Sequence, residues 1–198
     1  GLIAGGAWAD WRSYVWTYEY VTMPQGEAEI EFYTTLERPS EADLKTSAWK
    51  HWLEMEYWIT DRWDVSLYQQ FKQSNAAAAS SFSYDGYKLR TRYRLGEKGL
   101  FMVDPLLYLE YIGKNDLSKS SVGEAKLVVA KDFGRLNLAY NQIYKWELAS
   151  GASELEYAAG ISLSPNPVLK LAFESKGDLS SGKCYLGPTV SAAANKIW

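Results

Sequence analysis

Apolar and polar residues alternate with a period of two along most of the chain, and helical spacing is missing. Such alternation puts one set of side chains on each face of a strand. The first clear segment, 27–37, sets Ala28, Ile30, Phe32, Thr34 and Leu36 against Glu27, Glu29, Glu31, Tyr33 and Thr35. Segment 50–60 sets Leu53, Met55, Tyr57 and Ile59 against Lys50, Trp52, Glu54, Glu56 and Trp58. In 62–72, Trp63, Val65, Leu67 and Phe71 oppose Arg62, Asp64, Ser66, Tyr68, Gln70 and Lys72. The sharpest is 86–95, where Tyr87, Leu89, Thr91, Tyr93 and Leu95 interleave with Lys88, Arg90, Arg92 and Arg94. The same pattern continues in 101–111, 124–129, 135–145, 154–163 and 169–176, and more weakly in 184–191.

Most of these segments are about as long as the roughly nine to eleven residues with which a tilted strand crosses a bilayer. Tight turns are predicted at 60–62, 96–99, 132–134 and 164–167. Longer polar connections are predicted at 38–47, 73–84, 113–123, 148–153 and 177–182, alternating with the tight ones. Sorting of loop length by side fits outer-membrane barrels, with short periplasmic turns and longer outer loops. The expected fold is therefore all-β: a transmembrane antiparallel up-and-down β-barrel of 10–12 strands, apolar outside and charged in the lumen.

The domain reading is an aromatic lead-in over 1–25 and the barrel over 26–198. Residues 1–9 read either as the remnant of an export signal or as a mature N-terminus. Tyr14, Trp16, Tyr18 and Tyr20 share one parity, so 11–22 reads as an eleventh strand or as an interfacial segment. Residues 194–198 look like a turn and the beginning of a strand. Even strand counts are usual, so twelve strands, or ten plus flanks, are expected in the intact protein, with the last incomplete in these 198 residues.

Composition narrows the alternatives. Nine Trp and fifteen Tyr against six Phe favour an interface between apolar medium and water. A net charge of −3 gives no reason to expect nucleic acid. One Cys and one His exclude a disulfide framework and a His- or Cys-based metal cluster, and no cofactor is expected. No run approaches the roughly 18 apolar residues of a membrane helix, so a membrane span would have to be made of strands. A soluble lipocalin-like binder remains an alternative, because alternation does not say which face points inward.

The predicted lumen charge network is Glu27, Glu29, Glu31, Glu54, Glu56, Arg62, Asp64, Lys88, Arg90, Arg92, Arg94, Asp104 and Glu110. Acidic and basic strands are near neighbours, so the charges are expected to pair across strands. That arrangement is either a salt-bridged filling or a constriction acting on small ions. Trp49, Trp58, Trp63, Tyr93, Phe101, Tyr111, Tyr144 and Trp146 near strand ends are the predicted interface aromatics. His51 falls on the outward face with Thr34, Leu36, Gln69 and Phe71 as neighbours and no Ser. A catalytic dyad needs a nucleophile and an orienting group, so no catalytic residue is assigned and the chain is not expected to be an enzyme. A barrel hydrolase is the remaining enzymatic alternative. Gly96 to Gly99 reads as a hairpin turn, and Cys184 as a buried or lipid-facing small residue.

The runs TYEYVTMPQGEAEIEFYTTLE, ITDRWDVSLYQ, YKLRTRYRLGEKG, DPLLYLEY and AKDFGRLNLAYNQI resemble a poorly characterised family of Gram-negative outer-membrane β-barrels of the transporter and porin-like kind. The resemblance covers nearly the whole chain from Trp11 onward. It implies a bacterial outer-membrane location and a barrel, and members usually end in a final hairpin closing on an aromatic residue. The partners it suggests are the lipid bilayer, a small solute or ion, and a protein partner in a larger outer-membrane assembly. No substrate follows from it.

Overall fold

The computed structural model describes residues 12–37, 46–76, 79–116 and 118–192. Ten strands follow one another: β1 Ala28–Glu37, β2 Ser47–Thr60, β3 Trp63–Ala76, β4 Ala79–Arg94, β5 Asp104–Lys114, β6 Val122–Phe133, β7 Leu136–Glu147, β8 Ser153–Asn166, β9 Leu169–Asp178 and β10 Lys183–Ala192. Each pairs antiparallel with the next, giving one curled up-and-down sheet, a half-barrel with β1 and β10 as its edges. Each of the ten predicted alternating segments overlaps one of these strands.

Side-chain parity sorts the two faces as the alternation requires. Leu89 and Leu107 are 50% and 45% exposed on the outer face, while Arg90 and Glu54 are 3% and 0% exposed on the inner one. Leu53 and Leu67, on the outer parity, are half-buried. The usual order of a water-soluble fold is thus inverted: ionised groups are sheltered and apolar ones are bare.

The connections depart from the predicted sorting by length. Residues 73–76 and 79–84, expected in a loop, continue the β3–β4 hairpin, with Gln73 opposite Phe82 and Asn75 opposite Ser80. Ladder hydrogen bonds come from the backbone, so a Ser- and Ala-rich stretch without apolar parity still pairs. The β3–β4 register shifts between Gln70 and Phe71, opposite Gly86. Gly86 has φ 138°, and a Cβ there would sit 2.2 Å from the carbonyl oxygen of Gly113. Phe101 to Val103, expected in a strand, belong to the long β4–β5 connection, because β5 begins only at Asp104. At 179–182 the turn is short, closed by a Gly182 N–H donated to the Asp178 carbonyl at 2.9 Å. The connection expected at 148–153 is likewise a closed turn, with the Gly151 N–H donated to the Glu147 carbonyl at 2.8 Å, the one between β5 and β6 is a loop, and the expected loop at 38–47 lies almost wholly outside the described residues.

Residues 12–25 form no strand. They run against the inner face, where Tyr14 and Tyr20 join Leu106, Tyr108, Val128, Ala130 and Ala139 in the buried apolar cluster. Gly160 makes room for this, since a Cβ there would come within 2.4 Å of the Tyr14 ring. The described part of the aromatic segment is therefore not an eleventh strand. Residues 1–11 and 193–198, which carry the readings of an export-signal remnant and of a final incomplete strand, lie outside the described residues.

A buried ion-paired interior as the candidate functional site

Strand register builds the site row by row. Glu56 on β2 lies opposite Ser66 on β3, and Ser66 lies opposite Arg90 on β4. The small Ser side chain leaves the inner face open, so the guanidinium spans the intervening strand. Arg90 Nη1 lies 2.8 Å from Glu54, and Nη2 lies 2.5 Å from Glu56 and 3.6 Å from Asp64. Arg90 also donates to the Tyr68 hydroxyl at 2.6 Å. Arg92 donates from Nε to both Asp64 oxygens at 2.9 and 3.0 Å and pairs through Nη2 with Glu56.

Pairing across adjacent strands, the sequence expectation, holds only in part. Glu29 faces Glu56, Glu31 faces Glu54, and Glu110 faces Glu124 directly in register. Like charges placed opposite one another repel, and cations reaching in from elsewhere offset this. Arg12, from the N-terminal segment, lies 3.2 Å from Glu31 and 3.4 Å from Glu54, with its guanidinium over the Tyr18 and Tyr33 rings. Lys126 pairs with Glu124 at 2.7 Å, and Lys145 bridges Glu124 and Glu156 at 3.5 and 2.6 Å. Lys88 pairs with Glu110 at 2.8 Å, and Tyr108 donates to the same carboxylate at 2.6 Å.

The predicted network thus separates into parts. Glu31, Glu54, Glu56, Asp64, Arg90 and Arg92 come together, and Lys88 joins Glu110 one row away. Arg62 is not in the lumen: it sits in the β2–β3 turn and pairs with Glu97 at 2.6 Å on the exposed rim. Arg94 donates to the Asp61 carbonyl at 2.5 Å and lies over the Tyr20 ring. Asp104, buried, accepts the Gly99 N–H at 2.6 Å. Glu27 lies at the start of β1, where its carbonyl accepts the Trp58 N–H at 3.1 Å, and Glu29 is half-buried. Arg12, Glu124, Lys126, Lys145 and Glu156 were not among the predicted site residues. For the four strand residues the signal was there, in their parity.

Carboxylate oxygens of Glu31, Glu54 and Glu56 lie within 4.8 Å of one another, a spacing that a cation could use. Arg12, Arg90 and Arg92 already neutralise them.

Of the predicted interface aromatics, Trp63, Tyr93 and Phe101 are exposed at the rim of the β2–β3 and β4–β5 turns. Tyr111 and Tyr144 are exposed near the opposite rim, with half-buried Trp49 and Trp146 beside them. Trp58 is the exception: it is 1% exposed on the inner face, because it shares the parity of Glu54 and Glu56. The imidazole of His51 lies 3.1 Å from Thr34 Oγ1 and stacks among Phe32, Trp49 and Phe82. These contacts supply no orienting carboxylate. Cys184 is exposed on β10, with Sγ 3.3 Å from the Tyr157 hydroxyl.

A second set of inner-face groups holds the N-terminal segment. Glu174 on β9 accepts the backbone N–H groups of Val15, Trp16 and Thr17 at 2.7, 2.8 and 2.9 Å, and the Thr189 hydroxyl at 2.6 Å. Asn141 on β7 accepts the Tyr18 N–H at 2.6 Å and donates to the Tyr18 carbonyl at 3.0 Å, as a neighbouring strand would. Tyr14 donates to Asn137, and burial pushes its phenol up to about 12. Tyr20 donates to the Gly96 carbonyl, and Thr22 and Gln25 bond to Asp61.

The chain matches no known protein family and no characterised protein.

Proposed function

We propose that the chain is an outer-membrane β-barrel whose outer face meets lipid and whose interior is a narrow, ion-paired channel for small ions. The observation that carries this reading is the inversion of burial, with Glu54, Asp64, Arg90 and Arg92 sheltered while Leu89, Leu107, Leu109 and Leu127 are bare. An apolar surface of that extent is unfavourable in water, and acyl chains remove the cost. Strands of 10 to 16 residues are long enough to cross a bilayer core. Aromatic residues at opposite rims suit the two headgroup regions.

Within the lumen, the Arg90–Arg92 cluster forms the constriction. Its charges are mutually neutralised, so it opposes free passage more than it selects a sign of charge.

Reconstitution in vesicles of brominated lipid tests the membrane assignment. Quenching of Trp63 by bromine supports it, whereas full solubility without detergent and no quenching overturns it in favour of a soluble, lipocalin-like barrel. Planar-bilayer recording tests the channel: conductance re-selected by Arg90→Glu and Arg92→Glu supports it, and a membrane-inserted protein that never conducts overturns it.

A further inference from the structure

The geometry points to residues 12–25 as an internal plug, clamped by Glu174 and Asn141, whose release opens the lumen; its gating role rests on the channel reading above. The segment bridges the two edges of the curled sheet along its inner face. Trp16 lies against β9 and β10, under Lys176 at 4.6 Å and 3.3 Å from where a Cβ on Gly187 would sit. Arg12, four residues away, reaches Glu31 on β1 and Glu54 on β2. Two residues beyond Trp16, Tyr18 contacts Tyr108 on β5 with ring centroids 4.8 Å apart. With β1 and β10 closed into the barrel proposed above, an ion crossing the lumen would meet this crossbar.

The backbone of the segment is held by side chains and not by a ladder. A strand in a ladder is held by a bond at nearly every residue, with its neighbour's backbone as partner. Here the backbone N–H groups of four consecutive residues, 15 to 18, are satisfied by two side chains, Glu174 and Asn141. Removing the segment therefore breaks no strand pairing, although it withdraws Tyr14 and Tyr20 from the buried cluster and Arg12 from Glu31 and Glu54. Its rings also cover interior cations, Lys126 on Tyr18 at 4.5 Å and Arg94 on Tyr20 at 5.5 Å, which release would uncover. Beside it, toward the turn rim, lies a polar cavity of about 290 Å³ lined by Ser13, Glu19, Lys98, Asp104, Asn137 and Ser162.

Two measurements on the full-length chain test this. Thr17→Cys in a Cys184→Ser background puts a thiol in the clamped segment, at a position buried in the native fold. Adding Glu174→Gln should raise its rate of maleimide labelling about tenfold while the β-sheet circular dichroism is kept, since charge-assisted bonds to three N–H groups are lost. An unchanged rate overturns the plug whether or not the protein enters a membrane. In planar bilayers, Tyr18→Cys/Asn141→Cys/Cys184→Ser should conduct more than wild type and close again when a short bis-methanethiosulfonate cross-linker joins the two thiols, each disulfide forming with loss of methanesulfinate. Faster labelling in the Glu174→Gln chain without added conductance would leave a docked segment but overturn the gate. Failure of every variant to insert would overturn the membrane reading, and the gate with it, leaving the labelling result to decide docking.

Discussion

Arg90 reaches over Ser66 to place its Nη2 2.5 Å from Glu56, joining β2 to β4 across the strand between them. Neither side chain touches solvent to any extent. This bond explains how two facing rows of glutamate, Glu29 opposite Glu56 and Glu31 opposite Glu54, are tolerated on neighbouring strands. The neutralising charge comes from two strands away and from the N-terminal segment.

Removing one partner of a buried ion cluster leaves the others uncompensated. Arg90→Met should lower unfolding stability by about 3–5 kcal/mol, measured by denaturant titration in detergent. The double variant Arg90→Met/Glu56→Gln should lose less than the sum of the single changes, because the orphaned carboxylate is gone. Additive losses would mean that the two groups do not act as a pair.

The ten strands are legible in the sequence because each face of the sheet has one environment and the side chains record it at every second residue. The loops are less legible: backbone pairing extends through 73–76 and 79–84 without any apolar parity to mark it, and Phe101 to Val103 keep the parity without the pairing. Trp58 reads as an interface aromatic by its place near a strand end, but its parity governs, and it is buried. Arg62 has strand parity yet sits in a turn. The plug was beyond reach, since Tyr14, Trp16, Tyr18 and Tyr20 alternate as a strand would. What holds them is Glu174, 159 positions from Val15, and Asn141, 123 positions from Tyr18. Nothing in the local pattern of either residue sets it apart from other inward polar residues.

Gly86 combines a positive φ of 138° with a carbonyl oxygen 2.2 Å from where a Cβ would be, whereas Gly99 has a positive φ of 82° and open space. Both substitutions strain the backbone, but only one also clashes with it. Gly86→Ala should therefore cost several kcal/mol against about 1 kcal/mol for Gly99→Ala. Equal midpoints in urea for the two variants would contradict this account of the β3–β4 register shift.

Tyr14 titrates above its ordinary value of 10.0, at about 12, because burial disfavours the phenolate. The folded state therefore holds this proton where the unfolded chain has already released it. The contribution to stability is complete below pH 10 and is lost as pH rises through 12. Over that window the wild type should lose stability more steeply than Tyr14→Phe, which has no proton to lose. The slopes of unfolding free energy against pH provide the check, and parallel slopes would place Tyr14 in water rather than against Gly160.

Leu89 and Arg90 are neighbours in sequence on opposite faces of β4, and Leu89 is half exposed. Replacing Leu89 with Arg puts a cation on the outer face without disturbing the inner cluster. Against lipid at mid-depth, the charge must leave water for hydrocarbon, which costs about 2–4 kcal/mol. Against water the same change is an exposed surface substitution and stays within about 0.5 kcal/mol. The membrane assignment therefore requires a large penalty for Leu89→Arg, read from unfolding in lipid vesicles. A near-zero penalty would place the outer face in water.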